Sequence, residues 1–323
     1  MKRRGFILTM GGLALTSMAG KAFSNSQFPD RPITLVVPYS PGGATDNVAR
    51  VFAEQFQSAL GRSVIVDNRA GANGRIGTQA VARSSADGYT LLLGGIGPLT
   101  IAPHIEEVPY DPIKDFSPIS LLVTNDVVLL AHPSIEAANV GELIDYLKAN
   151  PDTVNFASSG TGGPFHMSGE LFKSMAGVDM THVPYKGDGP ALVDLMAGNV
   201  QVMFTTVSAS RPHFESGRIK LIASAGQQRS SQLPELPTIE ESGLPGFSSE
   251  TWQGLFAPQG TPEAVITILQ DAVAHAMQQP ALREALARQG NSIVTSNPEH
   301  LQEYIRTESD KWEAVVRQAG VKA

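Results

Sequence analysis

Short apolar runs alternate with helix-like segments along most of the chain. The runs cover residues 33–37, 64–66, 89–93, 119–123, 127–131, 154–157, 200–204 and 219–223. The segment after the first run has apolar residues spaced by four, at Val48, Phe52, Phe56 and Leu60, which places them on one face of a helix. This alternation predicts an α/β fold with a mostly parallel sheet and helices on both faces.

The last third of the chain follows a different pattern and predicts helices that pack on a preceding domain. Residues 261–263 (TPE) and 297–299 (NPE) each combine a capping residue with a proline at the first helical position. After the second of these segments, apolar residues recur on one side of a long helical pattern that Gly320 ends. We therefore expect two α/β lobes with a ligand cleft between them, outside the carboxyl ends of the strands.

The expected division of the chain has four parts. Residues 1–25 form a signal peptide, residues 26–123 the first part of lobe 1, residues 124–236 lobe 2, and residues 237–323 the return to lobe 1 with its C-terminal helices. The chain is thus expected to leave the first lobe near Val123 and to return near Leu236.

The N-terminus predicts export. A basic start at residues 2–4 precedes a short apolar stretch and small residues near Ala19 and Ala22, as in a secretory signal. The order RRGFI at residues 3–7 resembles a twin-arginine signal, so that this route and the general secretory route both stay open. The apolar stretch is shorter than the roughly 20 residues that span a membrane, which disfavours an uncleaved anchor.

Charge and composition narrow the function further. The chain has a formal net charge of -7, and loss of Lys2, Arg3, Arg4 and Lys21 with the signal would bring it to -11 (-7 - 4). An acidic protein of this kind is not expected to bind nucleic acid, and it must hold an anion by local dipoles against its overall field. Cysteine is absent, which excludes a disulfide, a thiol nucleophile and a cysteine-bound metal.

Three glycine-rich segments lie between a predicted strand and a helical pattern. They are residues 41–43 (PGG), 68–74 (NRAGANG) and 158–163 (SSGTGG). Each offers free backbone N–H groups at a helix start, where the helix dipole contributes about half a positive charge. None matches a phosphate-binding loop or a dinucleotide motif. Because they fall on both expected lobes, these turns predict a cleft that holds an anion with backbone groups.

Six segments, in their order along the chain, resemble the tripartite tricarboxylate transporter receptor family, also called Bug proteins. They are PGGATD, NRAGANGRIGT, ADGYTLLL, ASSGTGGPFHMSGE, HVPYKG and LPTIEESGLPGF, and the similarity extends from Phe28 to the last helix. The resemblance implies a two-lobed, type II-like periplasmic binding protein of the Venus-flytrap kind. It also implies a periplasmic receptor that delivers a small carboxylate to membrane transporter subunits, with no cofactor. We expect a monomer without a metal site.

The same resemblance implies the ligand-binding residues. These are Tyr39, Pro41, Gly42, Gly43, Ala44, Asp46, Ala72, Asn73, Ser158, Gly160, Thr161, Gly162, Tyr185 and Thr205. Since Asp46 would repel a carboxylate, we expect it to order the first loop or the helix start rather than to contact the ligand. The family often has aspartate in place of Thr205, where it could hold an ammonium or a hydroxyl group. Threonine supplies no charge, and we therefore predict a carboxylate ligand without an amino group.

Other functions fit the residues less well. His166 and Glu170 lie four apart on a predicted helix, as two metal ligands can, but a third ligand is not evident and a hydrogen bond is favoured. A hydrolase would need Ser158 or Ser159 paired with His166, yet the chain has no GxSxG elbow, and capping explains a serine at a helix start. A receptor that signals to a sensor protein fits the sequence as well as one that feeds a transporter.

Overall fold

The computed structural model describes residues 28–322. The predicted signal peptide lies outside the described residues. Within them, no helix has both the length and the apolar character needed to cross a membrane. The described chain forms two β-sheets with helices packed on them.

The first sheet has six strands, drawn from both ends of the described chain. They are β1 (Ile33–Val37), β2 (Val64–Asn68), β3 (Thr90–Gly95), β4 (Phe116–Asn125), β10 (Thr251–Pro258) and β11 (Asn291–Ile293). Their spatial order is β11-β4-β10-β3-β1-β2. Strand β1 lies between β3 and β2 and is parallel to both, with Leu35 opposite Val66 and Leu91. By contrast, β10 is antiparallel to β3 and β4, and β11 is antiparallel to β4.

The second sheet is built from the middle of the chain. Its strands are β5 (Val127–Ala131), β6 (Asn155–Ser158), β7 (Thr181–Pro184), β8 (Val202–Thr206) and β9 (Lys220–Ser224). They lie in the order β7-β6-β8-β5-β9. Here β6 is parallel to β7 and β8, whereas β5 is antiparallel to β8 and β9.

Both sheets are therefore mixed, and the expectation of a mostly parallel sheet is wrong. The parallel pairs come from strand–helix–strand units, which return each strand in the same direction. The antiparallel pairs involve β4, β5 and β10, the strands next to the points where the chain passes from one sheet to the other. Such strands enter a sheet from the opposite side and so run against its neighbours.

The chain passes between the sheets at two points. Asp126 separates β4 from β5, and Glu250 directly precedes β10. Residues 237–249 still contact the second sheet, since Thr238 forms a bridge with Ser224 and the amide of residue 249 donates to the carbonyl of residue 225 at 2.7 Å. The lobe boundaries expected at residues 123 and 236 stay a prediction.

Ten α-helices lie within the described range. They are α1 (Ala44–Leu60), α2 (Arg75–Ala82), α3 (Ala102–Ile105), α4 (Val140–Ala149), α5 (Pro164–Ala176), α6 (Asp188–Ala197), α7 (Val207–Glu215), α8 (Glu263–Gln278), α9 (Pro280–Arg288) and α10 (Pro298–Ala319). The predicted stripe of α1 is buried at Val48, Phe52 and Phe56, and this helix packs on α8. It ends at Gly61, whose φ of 65° is the left-handed conformation that glycine adopts readily. Across the two lobes, α10 packs on α5.

The two proline-containing helix starts differ. The side chain of Asn297 accepts a hydrogen bond from the amide of His300 at 2.8 Å, which confirms the cap predicted for α10. The prediction for α8 is wrong by one position, because that helix begins at Glu263 with Pro262 at its cap. The hydroxyl of Thr261 instead donates to the carbonyl of Pro258 at 2.8 Å and closes the turn after β10.

Candidate functional site

Two helices, one from each lobe, begin with the same backbone geometry. Gly43 precedes α1 and Gly163 precedes α5, both in extended conformation with φ of -81° and -80°. Neither helix start has a hydrogen bond from a capping side chain in the described part of the chain. The amide of Asn47 donates to the carbonyl of Gly43 at 3.0 Å, so the helix amides before Asn47 have no partner within α1. Helix starts of this kind attract anions.

A cavity of about 420 Å³, which we call the inner cavity, lies between these two helix starts. Ala44 and Thr45 line it from α1, and Pro164 and Phe165 line it from α5. Among the described residues that line it there is no lysine, arginine or histidine, and Asp188 is the one charged side chain. Backbone amides and neutral polar groups are therefore what this cavity offers to an anion.

A second cavity of about 500 Å³, the outer cavity, adjoins the first. Tyr39, Ser159 and Pro164 line both cavities. Asn73 lines the outer cavity from the first lobe, and the loop of residues 160–163 lines it from the second lobe. The two cavities together form a cleft between the lobes.

The predicted site residues divide into two groups by position. Those that line a cavity are Tyr39, Gly43, Ala44, Asn73, Gly160, Thr161 and Gly162. Those that line neither cavity are Pro41, Gly42, Asp46, Ala72, Ser158, Tyr185 and Thr205. Direct contact of either group with a ligand stays a prediction.

The buried carboxylate of Asp46 holds the first loop. It accepts hydrogen bonds from the amide of Gly42 at 2.8 Å, from Arg50 Nε at 2.9 Å and from Asn68 Nδ2 at 3.0 Å. The hydrogen bond from Arg50 is the main cause that lowers the pKa of this carboxyl group. A negative charge in the first turn of α1 also suits the helix dipole. These contacts are the ones expected of a residue that orders the loop.

Tyr39 lies between the first two glycine-rich loops. A Cβ atom at Gly74 would lie 3.2 Å from the Tyr39 ring, and one at Gly97 would lie 3.1 Å from its hydroxyl group. Both glycines therefore let the backbone approach the ring closely. Burial raises the pKa of Tyr39 to about 12, so its hydroxyl group stays protonated and can donate a hydrogen bond into either cavity.

Two stacked histidines hold the loop of the second lobe. The ring centroids of His166 and His182 are 3.7 Å apart, with an interplanar angle of 16°. His166 Nδ1 accepts a hydrogen bond from the amide of Gly162 at 3.0 Å, and His182 Nε2 lies 2.7 Å from the hydroxyl group of Ser158. Burial is the main cause that lowers the pKa of His166 to about 3 and that of His182 to about 4, so both rings are neutral near pH 7. The pairing of His166 with His182 was not predicted from the sequence.

A metal site at His166 and Glu170 would need a third ligand close to this pair. His166 Nε2 lies 3.7 Å from Glu170 Oε1, beyond hydrogen-bond distance. Within residues 28–322, no group of three or more histidine, aspartate or glutamate side chains is arranged to hold a metal ion.

Tyr185 lines neither cavity, and its polar groups form hydrogen bonds within the second lobe. Its hydroxyl group donates to Asp194 Oδ2 at 2.7 Å, and its amide donates to the carbonyl of Ser158 at 2.9 Å. Burial, followed by the neighbouring Asp194, raises the pKa of Tyr185 to about 12. The residue thus supports the start of the cleft loop from outside.

Comparison with known proteins agrees with this architecture. The family model described as the tripartite tricarboxylate transporter family receptor matches residues 48–321. The chain belongs to this family. The solved structure of the periplasmic binding protein BugD is 36% identical, with a TM-score of 0.76 over 91% of this chain and 99% of that one. R. palustris Rpa4515 with adipate is 35% identical, with a TM-score of 0.79 over 91% and 99%. MatC from Rhodopseudomonas palustris with bound malate is 35% identical, with a TM-score of 0.76 over 90% and 100%.

Membership of this receptor family confirms the predicted fold class and makes the chain a solute-binding receptor rather than an enzyme. The pair formed by Ser158 and His182 resembles part of a catalytic arrangement. However, Ser158 is fully buried, lines neither cavity, and its hydroxyl group also donates to the carbonyl of Gly160 at 3.0 Å. The pair therefore fixes the loop of the receptor.

Three polar residues of the inner cavity were missed in the sequence. Asn125, Asp188 and Gln253 line it, and Asn125 Oδ1, Asp188 Oδ1 and Gln253 Oε1 are buried without a hydrogen-bond partner among residues 28–322. Asp188 is the first residue of α6, which follows β7 and Gly187, so this is a fourth glycine turn at a helix start. Burial raises the pKa of Asp188, and the nearby hydroxyl groups of Ser159 and Thr205 offset part of that rise.

The position of Asp188 removes a premise of the ligand prediction. A ligand without an amino group was inferred because Thr205 supplies no charge. Thr205 is fully buried beside Asp188, and the carboxyl group of Asp188 brings an ionisable group to this wall of the cavity.

Proposed function

We propose that this receptor binds a small aliphatic carboxylate in the inner cavity and delivers it to the membrane subunits of a tripartite tricarboxylate-type transporter. The observation that carries the proposal is the convergence of two helix starts, one from each lobe, on one cavity; within residues 28–322 these starts have no capping side chain and the cavity has no basic lining residue. The bound adipate of Rpa4515 and the bound malate of MatC support the same ligand class.

The amides before Asn47 and those at the start of α5 would hold the carboxylate. A hydrogen bond to a charged group contributes about 1.5–3 kcal/mol, so a few such bonds are sufficient without a lysine or arginine. Tyr39 and Ser159, which line both cavities, supply hydroxyl donors between the two lobes.

Because each lobe supplies part of the donor set, the ligand favours the closed arrangement. Opening takes place about the two crossings, Asp126 and Glu250, as a hinge motion. The ligand shifts this equilibrium only by its additional affinity for the closed state. A transporter that recognises the closed receptor would therefore receive loaded receptors preferentially.

The receptor acts in the periplasm, as a monomer, after export by a twin-arginine or a general secretory signal. Delivery to a transporter, rather than to a sensor protein, follows the family description. Uptake of a labelled ligand by cells with and without the receptor gene separates the two roles. Unchanged uptake in its absence would contradict delivery.

Binding itself is tested by thermal unfolding of the mature protein against a panel of carboxylates, each paired with its uncharged amide. A ligand that binds only the folded state at a hundred times its Kd stabilises it by about 2.7 kcal/mol. We expect one or more carboxylates to raise the Tm while the matched amides do not. Protein freed of any co-purified ligand by unfolding and refolding should show the same increase in Tm. A Tm that no carboxylate raises would contradict the proposal.

A further inference from the structure

The inner cavity has hydrogen-bond donors on one side and unpaired acceptors on another. We propose that the ligand carries an ammonium group in addition to its carboxylate, and that Asp188, Asn125 and Gln253 bind this ammonium group. This inference rests on the proposed carboxylate function and deepens it to an amino carboxylate. It replaces the ligand without an amino group that Thr205 alone suggested.

The amide orientation of Asn125 is fixed by a chain of hydrogen bonds. Asn291 Nδ2 donates to the carbonyl of Leu286 at 3.3 Å, which leaves Asn291 Oδ1 to accept from Asn125 Nδ2 at 2.5 Å. Asn125 Oδ1 must then point away from Asn291, and it is buried without a partner among the described residues. Asn125 is 4% exposed, so this oxygen is a built-in acceptor of the cavity.

Gln253 and Asp188 supply two further acceptors. Gln253 is 6% exposed, lies in the central strand β10, and has a buried Oε1 that lacks a partner within residues 28–322. An amide can rotate to present its NH2 group, whereas an ionised carboxylate can only accept. Asp188 Oδ1 is also buried without a hydrogen-bond partner among residues 28–322, and the nearby hydroxyl groups of Ser159 and Thr205 favour the ionised form, which can only accept.

The charges of the cavity favour an ammonium group over a hydroxyl group. The described lining residues include no basic side chain that could neutralise Asp188. The nearby Asp46 is already neutralised by Arg50 and lines neither cavity. A bound carboxylate would add a second negative charge, which an ammonium group of the same ligand compensates. An ammonium group also has three donors for three unpaired acceptors, whereas a hydroxyl group has one.

The test compares ligands that differ only at one carbon. The stripped wild-type protein is titrated calorimetrically with three sets: succinate, malate and aspartate; glutarate, 2-hydroxyglutarate and glutamate; propionate, lactate and alanine. In the set that fits the cavity, we expect the amino member to bind at least about tenfold more tightly than the other two, the effect of one charge-assisted hydrogen bond. Asp188→Asn should remove this preference, with Asp188→Ser as a second variant if the first does not fold.

Asp194→Asn is the matched control, because it removes an equal charge from the same helix at a residue bonded to Tyr185 outside both cavities. It should leave the preference unchanged. Equal or tighter binding of the members without nitrogen overturns the inference alone, even if the protein binds carboxylates. Uptake of a proton with a dicarboxylate, measured in buffers of different ionisation heat, also overturns it, because Asp188 would then act as a neutral donor. Binding of no member of any set, by a protein that gives no Tm response to the wider carboxylate panel, overturns the proposed function together with this inference.

Discussion

The stacked histidines of the second lobe predict that the receptor loses stability in acid. His166 is 4% exposed, and its Nδ1 accepts the hydrogen bond from the amide of Gly162 in the cleft loop. A protonated ring nitrogen cannot accept a hydrogen bond. Two charged rings with centroids 3.7 Å apart, near Lys173, would also repel one another. Protonation should therefore loosen the loop that lines the outer cavity.

The direction and size of this loss of stability follow from the pKa values of the two histidines. Both rings have a folded-state pKa, about 3 for His166 and about 4 for His182, below the value of 6.5 for a free imidazole. The folded protein thus binds fewer protons than the unfolded chain, so stability is fully present above pH 6.5 and is lost as the pH falls towards these values. Each pH unit below 6.5 costs about 1.4 kcal/mol per ring. At about pH 5 the loss is about 2 kcal/mol for the buried His166, and less for the partly exposed His182.

Urea unfolding of wild type and His166→Gln at about pH 7 and about pH 5 measures this loss. Glutamine can still accept from the amide of Gly162 but does not titrate. We expect the free energy of unfolding of wild type to fall by about 2 kcal/mol more than that of the variant over this interval. His275→Gln, at an exposed position of α8, is the control and should follow wild type. Parallel losses in wild type and His166→Gln would refute the role assigned to the histidine pair.

Three other perturbations have defined outcomes. Gly43→Val should lower carboxylate affinity by about tenfold or more in calorimetry. Its Tm should change little, because a Cβ at this position meets the carbonyl of Ser40 at 3.6 Å and no other described atom within 4 Å. An equal loss of carboxylate affinity in Gly189→Ala, where a Cβ has no described atom within 4 Å, would point to a general effect of replacing a glycine. Burial raises the pKa of Glu250 to about 7, so its contribution to stability is present below pH 4.5 and is lost as the pH rises through 7. Glu250→Gln should remove up to about 3 kcal/mol of this pH dependence of the free energy of unfolding, measured with urea. An unchanged pH profile of stability in the variant would contradict the burial of Glu250. Gly169→Ala should destabilise the second lobe by about 1–3 kcal/mol, because its Cβ would overlap the buried ring of Phe156, and an unchanged Tm would refute this packing.

The elements that could be predicted are those with a local signal. The apolar stripe and terminal glycine of α1 lie within one segment, as does the cap of α10 at Asn297. By contrast, β10 was missed because Gln253 and Gly254 interrupt its apolar residues, so that its sequence forms no continuous apolar run. Its partners β3 and β4 lie more than a hundred residues earlier in the chain, where local patterning gives no information.

The residues of the candidate site also differ in whether they could be predicted from the sequence. Gly43, Asn73 and Gly160 belong to strand-to-helix turns that can be recognised in the sequence, and all three line the cleft. Asn125 and Gln253 were missed because each lies on a strand that gains its role only when β4 and β10 pair. The function of such residues depends on tertiary contacts rather than on neighbours in the sequence.

The central claim is that amides at the starts of α1 and α5 hold the ligand carboxylate. It is tested most directly by amide NMR of the labelled mature protein, titrated with the tightest ligand of the carboxylate panel. We predict that the Thr45 and Phe165 amides shift strongly and saturate with the binding curve. The Gly141 and Glu142 amides of α4, which begins with its own Asn139 cap, should not move. Saturation of the protein by ligand without a shift at Thr45 or Phe165 would contradict the account.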